Sequence, residues 1–335
     1  MKTKTILLTE AEVQSLMDWK TAVRIAEEEL CQQGKGNVLM PPKQLLNLRS
    51  RGLDSYSNAM PAYLEYLGVA GIKWGGGYGE NNVSRNLPYM MQVAILNSPT
   101  TGEIHCIMGA TWLTTTKTGS ETALAGKYLG NKDDVVVTVI GCGLQGSASV
   151  HCWLALDELG DLSIKEVRIV DLNRARAEQV AAEARAAHPQ KTIVVMDSLP
   201  HALDGATAVV SATSSTKPIV KKEWLRSDVL IASLGSYPEF EPEAILSADK
   251  FVADNWIQNE HRGEFKDLIE AGKLTRDMLL GELPEVIAGK VPGRERPDEM
   301  IAASLIGLGS VDLAVGWEIY HRALARNVGT TFAFL

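Results

Sequence analysis

Two sets of residues in this chain have types and spacings suited to chemistry. One is a glycine-rich turn at 141–146; the other is three lysines, Lys43, Lys73 and Lys117, in company unusual for lysine. The turn follows Val135-Val136-Val137-Thr138-Val139-Ile140, an uncharged β-branched run with the texture of a parallel strand covered on both faces. It reads Gly141-Cys142-Gly143-Leu144-Gln145-Gly146, and a helical stretch opening on small residues comes next. In G-x-G-x-x-G the first glycine permits the tight strand-to-helix turn and the second lets a pyrophosphate approach the backbone. The third lets the helix pack close on the strand. That helix, expected over 145–159, offers free N–H groups and a positive dipole end that suit phosphate. Such a turn also forms for structural reasons alone. Here a second strand at 166–170 ends in Asp171, with Asn173 and Arg174 just beyond, and an acid there accepts hydrogen bonds from ribose hydroxyls. Strand, glycines, helix, strand and acid in that order point to a dinucleotide site.

Most lysines are solvated surface residues, and that reading has to be displaced one lysine at a time. Lys73 sits in Gly71-Ile72-Lys73-Trp74-Gly75-Gly76-Gly77, an apolar strand running into a triple glycine, which implies partial burial. A buried ammonium is costly unless paired, and burial eases the loss of its proton, which suits a proton donor. Lys43 follows Met40-Pro41-Pro42. Lys117, in Thr114-Thr115-Thr116-Lys117-Thr118-Gly119-Ser120, is expected at the start of a helix over 114–128. Cations favour helix C-termini, so a lysine at the other end implies an anion beside it.

Ordinary composition supports the elements that must position these groups. With 335 residues, 45% of them hydrophobic and 22% charged, the chain is long enough for two domains with real cores. A net charge of −8 argues against nucleic-acid or anionic-membrane partners. The four cysteines, Cys31, Cys106, Cys142 and Cys152, show neither C-x-x-C nor histidine pairing, so reduced thiols in the cytoplasm are expected, and no metal site. The N-terminal apolar run is too short for a signal peptide, and no run is long enough to span a membrane. Thr9 and Glu12 form a capping-box pattern before helices at 10–17 and 18–33. Alternating segments at 43–48, 54–60, 63–74, 89–97 and 104–109 read as antiparallel strands. After a polar turn at 129–134, strands are expected at 135–140, 166–171, 192–195, 207–212, 229–234 and 250–254. Helices alternate with them, which implies a parallel sheet. A last amphipathic helix spans 312–326. Ser211 and Thr213 end one strand, and ligands bind at the carboxyl ends of parallel strands. His105 lies on a strand and reads as packing; His261 precedes Arg262-Gly263-Glu264 in a loop.

Several segments taken together resemble the ornithine cyclodeaminase/μ-crystallin family along essentially the whole length. They are Met60-Pro61-Ala62-Tyr63, Gly71-Ile72-Lys73-Trp74 with Asn81 beyond, and 114–119. The others are the 141–146 loop, Ser211-Ala212-Thr213 and Gly307-Leu308-Gly309-Ser310-Val311-Asp312-Leu313-Ala314. The resemblance implies an α/β fold: a Rossmann-type doubly wound parallel sheet at 131–312, plus an α+β substrate-binding and dimerisation domain from 1–130 and 313–335. It implies NAD(P) chemistry on a small amino or keto acid or its imine, in a homodimer. It also implies that Lys43, Lys73 and Lys117, with Met60 and Asn81, meet the substrate, Lys73 being catalytic. Thr118, Gly119 and Ser236 would join Gly141, Gly143, Leu144, Gln145, Gly146, Asp171, Asn173, Arg174, Ser211 and Thr213 around the cofactor.

Two departures from the family pattern bear on the reaction. Lys43 and Lys117 stand where the family has arginines, and lysine grips a carboxylate as a point charge instead of a planar fork. Tyr237 in Gly235-Ser236-Tyr237-Pro238 stands where cyclodeaminases carry an aspartate that orients an amine for ring closure; Glu239 or Glu241 are the substitutes at hand. That loop is similar to the reductase branch, so an imine reductase or amino-acid dehydrogenase is expected. Cyclodeamination with internally recycled NAD is the alternative, and a non-catalytic ligand-binding protein a second one. Asp171 favours NAD by repelling a 2′-phosphate, while Arg174 and Arg176 leave NADP open.

Overall fold

Alternating segments in the first hundred residues pair into one sheet, as their period of two requires. In the computed structural model, which describes residues 4–334, the strands are β1 (Thr5–Leu8), β2 (Val38–Leu39), β3 (Gln44–Asn47), β4 (Tyr56–Leu64), β5 (Val69–Gly77), β6 (Met90–Asn97) and β7 (Ile104–Gly109). β4 to β7 form an antiparallel meander. β1 runs parallel beside β7, and the C-terminal strand Thr330–Phe332 closes that edge. The expected strand at 63–74 is instead two strands. Leu64 ends β4, a 3₁₀ turn covers Glu65–Leu67, and Gly68 (φ 63°) reverses the chain into β5. Register then sets Lys73 between Met60 on β4 and Ala94 on β6. Its neighbour Trp74 points to the opposite, open face and is 41% exposed. The C-terminal helix, Gly309–Arg326, packs on β4, β5, β6 and the helix α2 (Trp19–Lys35).

Thr9 caps α1 (Glu10–Ser15) in the expected capping box. The neighbouring Glu10 explains a difference from the sequence reading. Its carboxylate accepts the N–H of Thr111 (3.2 Å) and that of Trp112, so α3 begins at Thr111 and runs to Leu129. Lys117 therefore lies in the second turn of α3 and not at its start, and the anion at that helix end is Glu10.

The second half of the chain forms an eight-stranded sheet. Its strands are β8 (Val135–Ile140), β9 (Ile164–Val170), β10 (Thr192–Val195), β11 (Ala208–Ser211), β12 (Leu230–Ser233), β13 (Lys250–Ala253), β14 (Leu279–Glu282) and β15 (Ile301–Ser304). The order is β10-β9-β8-β11-β12-β15-β13-β14, with every neighbouring pair parallel. The chain leaves β8 first toward β9 and β10, then returns to β11 on the other side. This places the reversal of a doubly wound sheet at β8/β11, where such sheets open a crevice at their carboxyl ends. Strands β14 and β15 had no counterpart in the sequence reading.

Two compact units result, Met1–Lys117 with Leu308–Leu335, and Thr118–Gly307. The division thus falls inside α3 and before Leu308, whereas the sequence had suggested 130–131 and 312–313. Close packing explains the first shift. A Cβ at Gly119 would stand 2.7 Å from the carbonyl of Ala148, and one at Gly126 2.3 Å from the Trp153 ring, so the second half of α3 lies hard against α4 (Leu144–Glu158). The second shift assigns Asp312 to the same unit as Lys73 and Lys117.

Candidate active site

In the second unit, β8 delivers the chain into the glycine turn. Gly141 adopts φ +93°, a conformation costly for any residue with a side chain, and a Cβ there would also press on the carbonyl of Ala212 at 2.7 Å. At Gly146 a Cβ would lie 1.7 Å from the Gly141 carbonyl oxygen, so helix α4 could not start so close to the strand with any larger residue. Gly143 differs: it caps α4 in ordinary extended geometry, and the position a Cβ would take has nothing within 4 Å among the described residues. Two glycines are thus demanded by the fold and the third faces open space at a helix N-terminus. That is the combination a pyrophosphate needs. Leu144 beside it is 46% exposed, and Gln145 Oε1 is buried without a hydrogen-bond donor among the described residues.

Asp171 follows β9 and ties this turn to the next. Its Oδ2 accepts the N–H of Cys142 and its Oδ1 that of Asn173, both at 2.6 Å. Each carboxylate oxygen keeps a further lone pair for a hydroxyl donor. Asn173 caps α5 (Arg174–Ala187) by accepting from Arg176 N–H. Arg176 Nε donates to the Cys142 carbonyl at 2.9 Å, bracing the glycine turn from outside. Arg174 is paired with Glu178 (3.2 Å) and with Asp197. Both arginines considered for a 2′-phosphate therefore already have protein partners.

The first unit holds the lysines. Lys73 is 4% exposed, Lys117 1% and Asp312 fully buried. Lys73 Nζ lies 3.1 Å from Asp312 Oδ2, and Lys117 Nζ lies 3.8 Å from the same oxygen while donating to the Leu308 carbonyl at 3.1 Å. Thr114 Oγ1 donates to Asp312 Oδ1 at 3.0 Å. Asp312 sits in the first turn of the C-terminal helix, where the dipole favours a carboxylate. Gly309 brings that helix onto β4: a Cβ there would stand 2.9 Å from Met60 Cβ, and Met60 is the register partner of Lys73. Met60, Lys73, Lys117 and Asp312 thus belong to one locus. Lys43 is half-buried, one residue before Gln44, which pairs with Ala59. Asn81 lies in the turn after β5, where its amide donates to the Pro88 carbonyl at 3.0 Å and holds that loop.

A third buried group surrounds the carboxyl ends of β11 and β12. Glu239 is buried, and its Oε1 accepts from both the N–H and the hydroxyl of Thr213. Glu264 accepts from Ser233 Oγ (2.9 Å) and from the N–H groups of Glu239 (3.0 Å) and Phe240 (3.1 Å). Burial pushes Glu264 up to about 7 and raises Glu239 as well. Ser211, at the end of β11, is buried, and Ser236 Oγ accepts two N–H groups of Arg262, at 3.1 and 2.6 Å. Glu239, offered by the sequence as a substitute for the missing aspartate, is thus turned inward to Thr213. Glu241 stands at the start of the short helix Pro242–Leu246, and Tyr237 is 47% exposed.

Thr118 is buried, and Gly119 serves the packing of α3 on α4. His105 lies beside the stacked rings of Trp317 and Tyr320, at 5.7 and 5.9 Å, which agrees with packing. His261 is exposed. Asp312 and Glu264 were the functional candidates that sequence reasoning passed over. For Asp312 there was a signal, a lone acid inside the apolar stretch Val311-Asp312-Leu313-Ala314-Val315.

Residues 3–327 match the model of the ornithine cyclodeaminase/mu-crystallin family. The alanine dehydrogenase of Archaeoglobus fulgidus is 31% identical over 334 residues, 99% of each chain. Among solved structures, an archaeal alanine dehydrogenase dimer with bound NAD superposes with a TM-score of 0.89 at 31% identity, covering 99% of this chain and 100% of the other. The Thermococcus litoralis Δ1-pyrroline-2-carboxylate reductase in complex with NADH and L-proline gives 0.89 at 25% identity, over 97% and 99%.

Proposed function

This chain belongs to the ornithine cyclodeaminase/mu-crystallin family, and on that premise we propose that it is an NAD-dependent oxidoreductase acting on the carbon–nitrogen group of a small amino acid or its imine. It works as an amino-acid dehydrogenase or an imine reductase. The observation that carries the reading is the buried Lys73 ammonium beside Asp312 and Lys117 in a chain whose glycine turn leaves Gly143 open.

Gly143, Leu144 and Gln145 hold the pyrophosphate at the start of α4, Asp171 takes the adenosine ribose, and Ser211, Thr213 and Ser236 line the strand ends beyond it. Asp171 repels a 2′-phosphate, which supports NAD over NADP; the exposed pairs of Arg174 with Glu178 and Asp197 add little. NAD, when bound, exchanges a hydride with the Cα of the amino acid. Lys73 faces the substrate's acid group and holds the proton exchanged at nitrogen; Lys43 adds charge to the same group, and Met60 shapes its surroundings. Preorganised charge of this kind supplies much of the rate in cofactor enzymes.

Cyclodeamination is the weaker reading because Glu239 turns its Oε1 to Thr213 and, on the family resemblance, Tyr237 stands where the orienting acid would be. A homodimer accords with the apolar open face of the first sheet, where Trp74, Met91 and Val93 are 41%, 45% and 39% exposed. No helix among the described residues is long and apolar enough to cross a membrane. Four free thiols accord with the cytoplasm. A panel of amino acids, and of keto acids with ammonia or amines, assayed with NAD(H) and NADP(H), tests the function. Turnover with stoichiometric change at the nicotinamide absorbance supports it. Nucleotide binding without turnover of any member points to a non-catalytic binding protein.

A further inference from the structure

Lys117 is one of three lysines that the family pattern would assign to the substrate, yet its side chain is spent on the protein. It is 1% exposed, donates to the Leu308 carbonyl and lies 3.8 Å from Asp312. Asp312 accepts the Thr114 hydroxyl on Oδ1, while its Oδ2 stands 3.1 Å from the Lys73 ammonium as an ion pair and takes no hydrogen bond among the described residues. Three ionisable side chains with almost no exposure are an expensive way to hold a fold, since an apolar set of similar volume is often more stable. What the arrangement does provide is a fixed position. The carboxylate stands on the first turn of a helix whose Gly309 is pressed against Met60, and Met60 is the strand partner of Lys73.

We propose that Asp312 is a positioning residue: anchored by Thr114 and Lys117, its carboxylate fixes the Lys73 ammonium, and Lys117 serves as the counter-ion of Asp312 instead of a second grip on the substrate. This rests on the proposed reaction, in which Lys73 meets the substrate. It also accounts for the lysine at position 117. A compact ammonium can reach a main-chain carbonyl and share one carboxylate oxygen, whereas a planar guanidinium is suited to the bidentate grip that a substrate acid would need.

Two sets of measurements on the whole protein separate this proposal from the reaction it serves. The first needs no substrate. Lysine labelling with an amine-reactive reagent, read by peptide mass spectrometry, follows Lys73, with Lys250 as control because it is held by Glu295 and Glu299 in the other unit. Asp312→Asn and the near-isosteric Thr114→Val should each label Lys73 at least tenfold and about threefold faster than wild type, with Lys250 unchanged. Unchanged labelling of Lys73 in both variants overturns the proposal, whether or not a substrate has been found. Should Asp312→Asn fail to fold, Thr114→Val alone decides. The second set uses the substrate found in the panel. Asp312→Asn should lower kcat about 100-fold with little change in NADH affinity, and Asp312→Glu should recover part of it. Lys117→Met should lower kcat and leave KM for the acid within about twofold. A large rise in KM with kcat unchanged would make Lys117 a substrate ligand and overturn the proposal. If no panel member is turned over, the reaction assignment fails while the labelling result still stands or falls alone.

Discussion

Replacing Gly143 and Gly146 separately by alanine should split binding from folding. At Gly143 the backbone is already extended (φ −65°, ψ −168°) and the added methyl meets nothing within 4 Å among the described residues. The substitution should leave the unliganded protein within about 1 kcal/mol of wild type, because the freedom lost by the unfolded chain offsets alanine's poorer capping of α4. The same methyl fills the space a pyrophosphate would enter. Losing one charge-assisted hydrogen bond there costs about 1.5–3 kcal/mol, or roughly 10- to 150-fold in Kd. At Gly146 the methyl would lie 1.7 Å from the Gly141 oxygen, and the turn itself would have to move. A loss of about 1–3 kcal/mol or more in stability is expected even without nucleotide. Thermal unfolding without ligand and fluorescence titration with NADH read the two effects. Wild-type NADH affinity in Gly143→Ala would show that no pyrophosphate enters there, and a destabilised Gly143→Ala beside an undisturbed Gly146→Ala would reverse which glycine the fold requires.

Other outcomes follow from the same geometry. Lys73→Met should reduce kcat/KM by about 10²–10⁴, the usual range for a general acid or base, while NADH titration gives an unchanged Kd; retained activity would remove Lys73 from the chemistry. Wild-type protein should bind NADH at least about tenfold more tightly than NADPH, because Asp171 repels a 2′-phosphate; equal affinities would contradict this. Glu264 sets a pH effect. Burial lifts it from 4.5 to about 7, so the folded state holds a proton that the unfolded chain releases above about 4.5. Its contribution is fully present below pH 4.5 and is lost as pH rises through 7, a change on the order of 3 kcal/mol. Glu264→Gln should flatten that part of the stability profile, measured by chemical denaturation at several pH values. Parallel profiles for variant and wild type would rule it out.

The cofactor turn could be read from the sequence because every part of it is local: a β-branched run, three glycines at fixed offsets and an acid after the next strand. Lys73 was legible for the same reason, since its apolar strand and flanking glycines announce burial. The partners of these residues were not legible. Asp312 reaches Lys73 only because the C-terminal helix returns to the first sheet, and nothing near position 73 encodes that return. α3 starts earlier than the sequence predicts because Thr111 and Trp112 are indifferent helix formers and their N–H groups are capped by Glu10, about a hundred residues earlier. Strand β15, Ile301-Ala302-Ala303-Ser304, has alanines that suit a helix better, and β14 carries a glycine and an acid. Both are strands because the parallel sheet beside them supplies the pairing.

In the proposed reaction, hydride moves between NAD and the α-carbon of a small amino acid. Turnover of each active keto acid with ammonia, or of its preformed imine, using NADH deuterated at C4 tests it directly. One equivalent of NADH should be consumed per product, with deuterium at Cα when the label occupies the transferred face. Product formed from a diamino acid with no net consumption of nicotinamide would contradict it and return the chain to cyclodeamination.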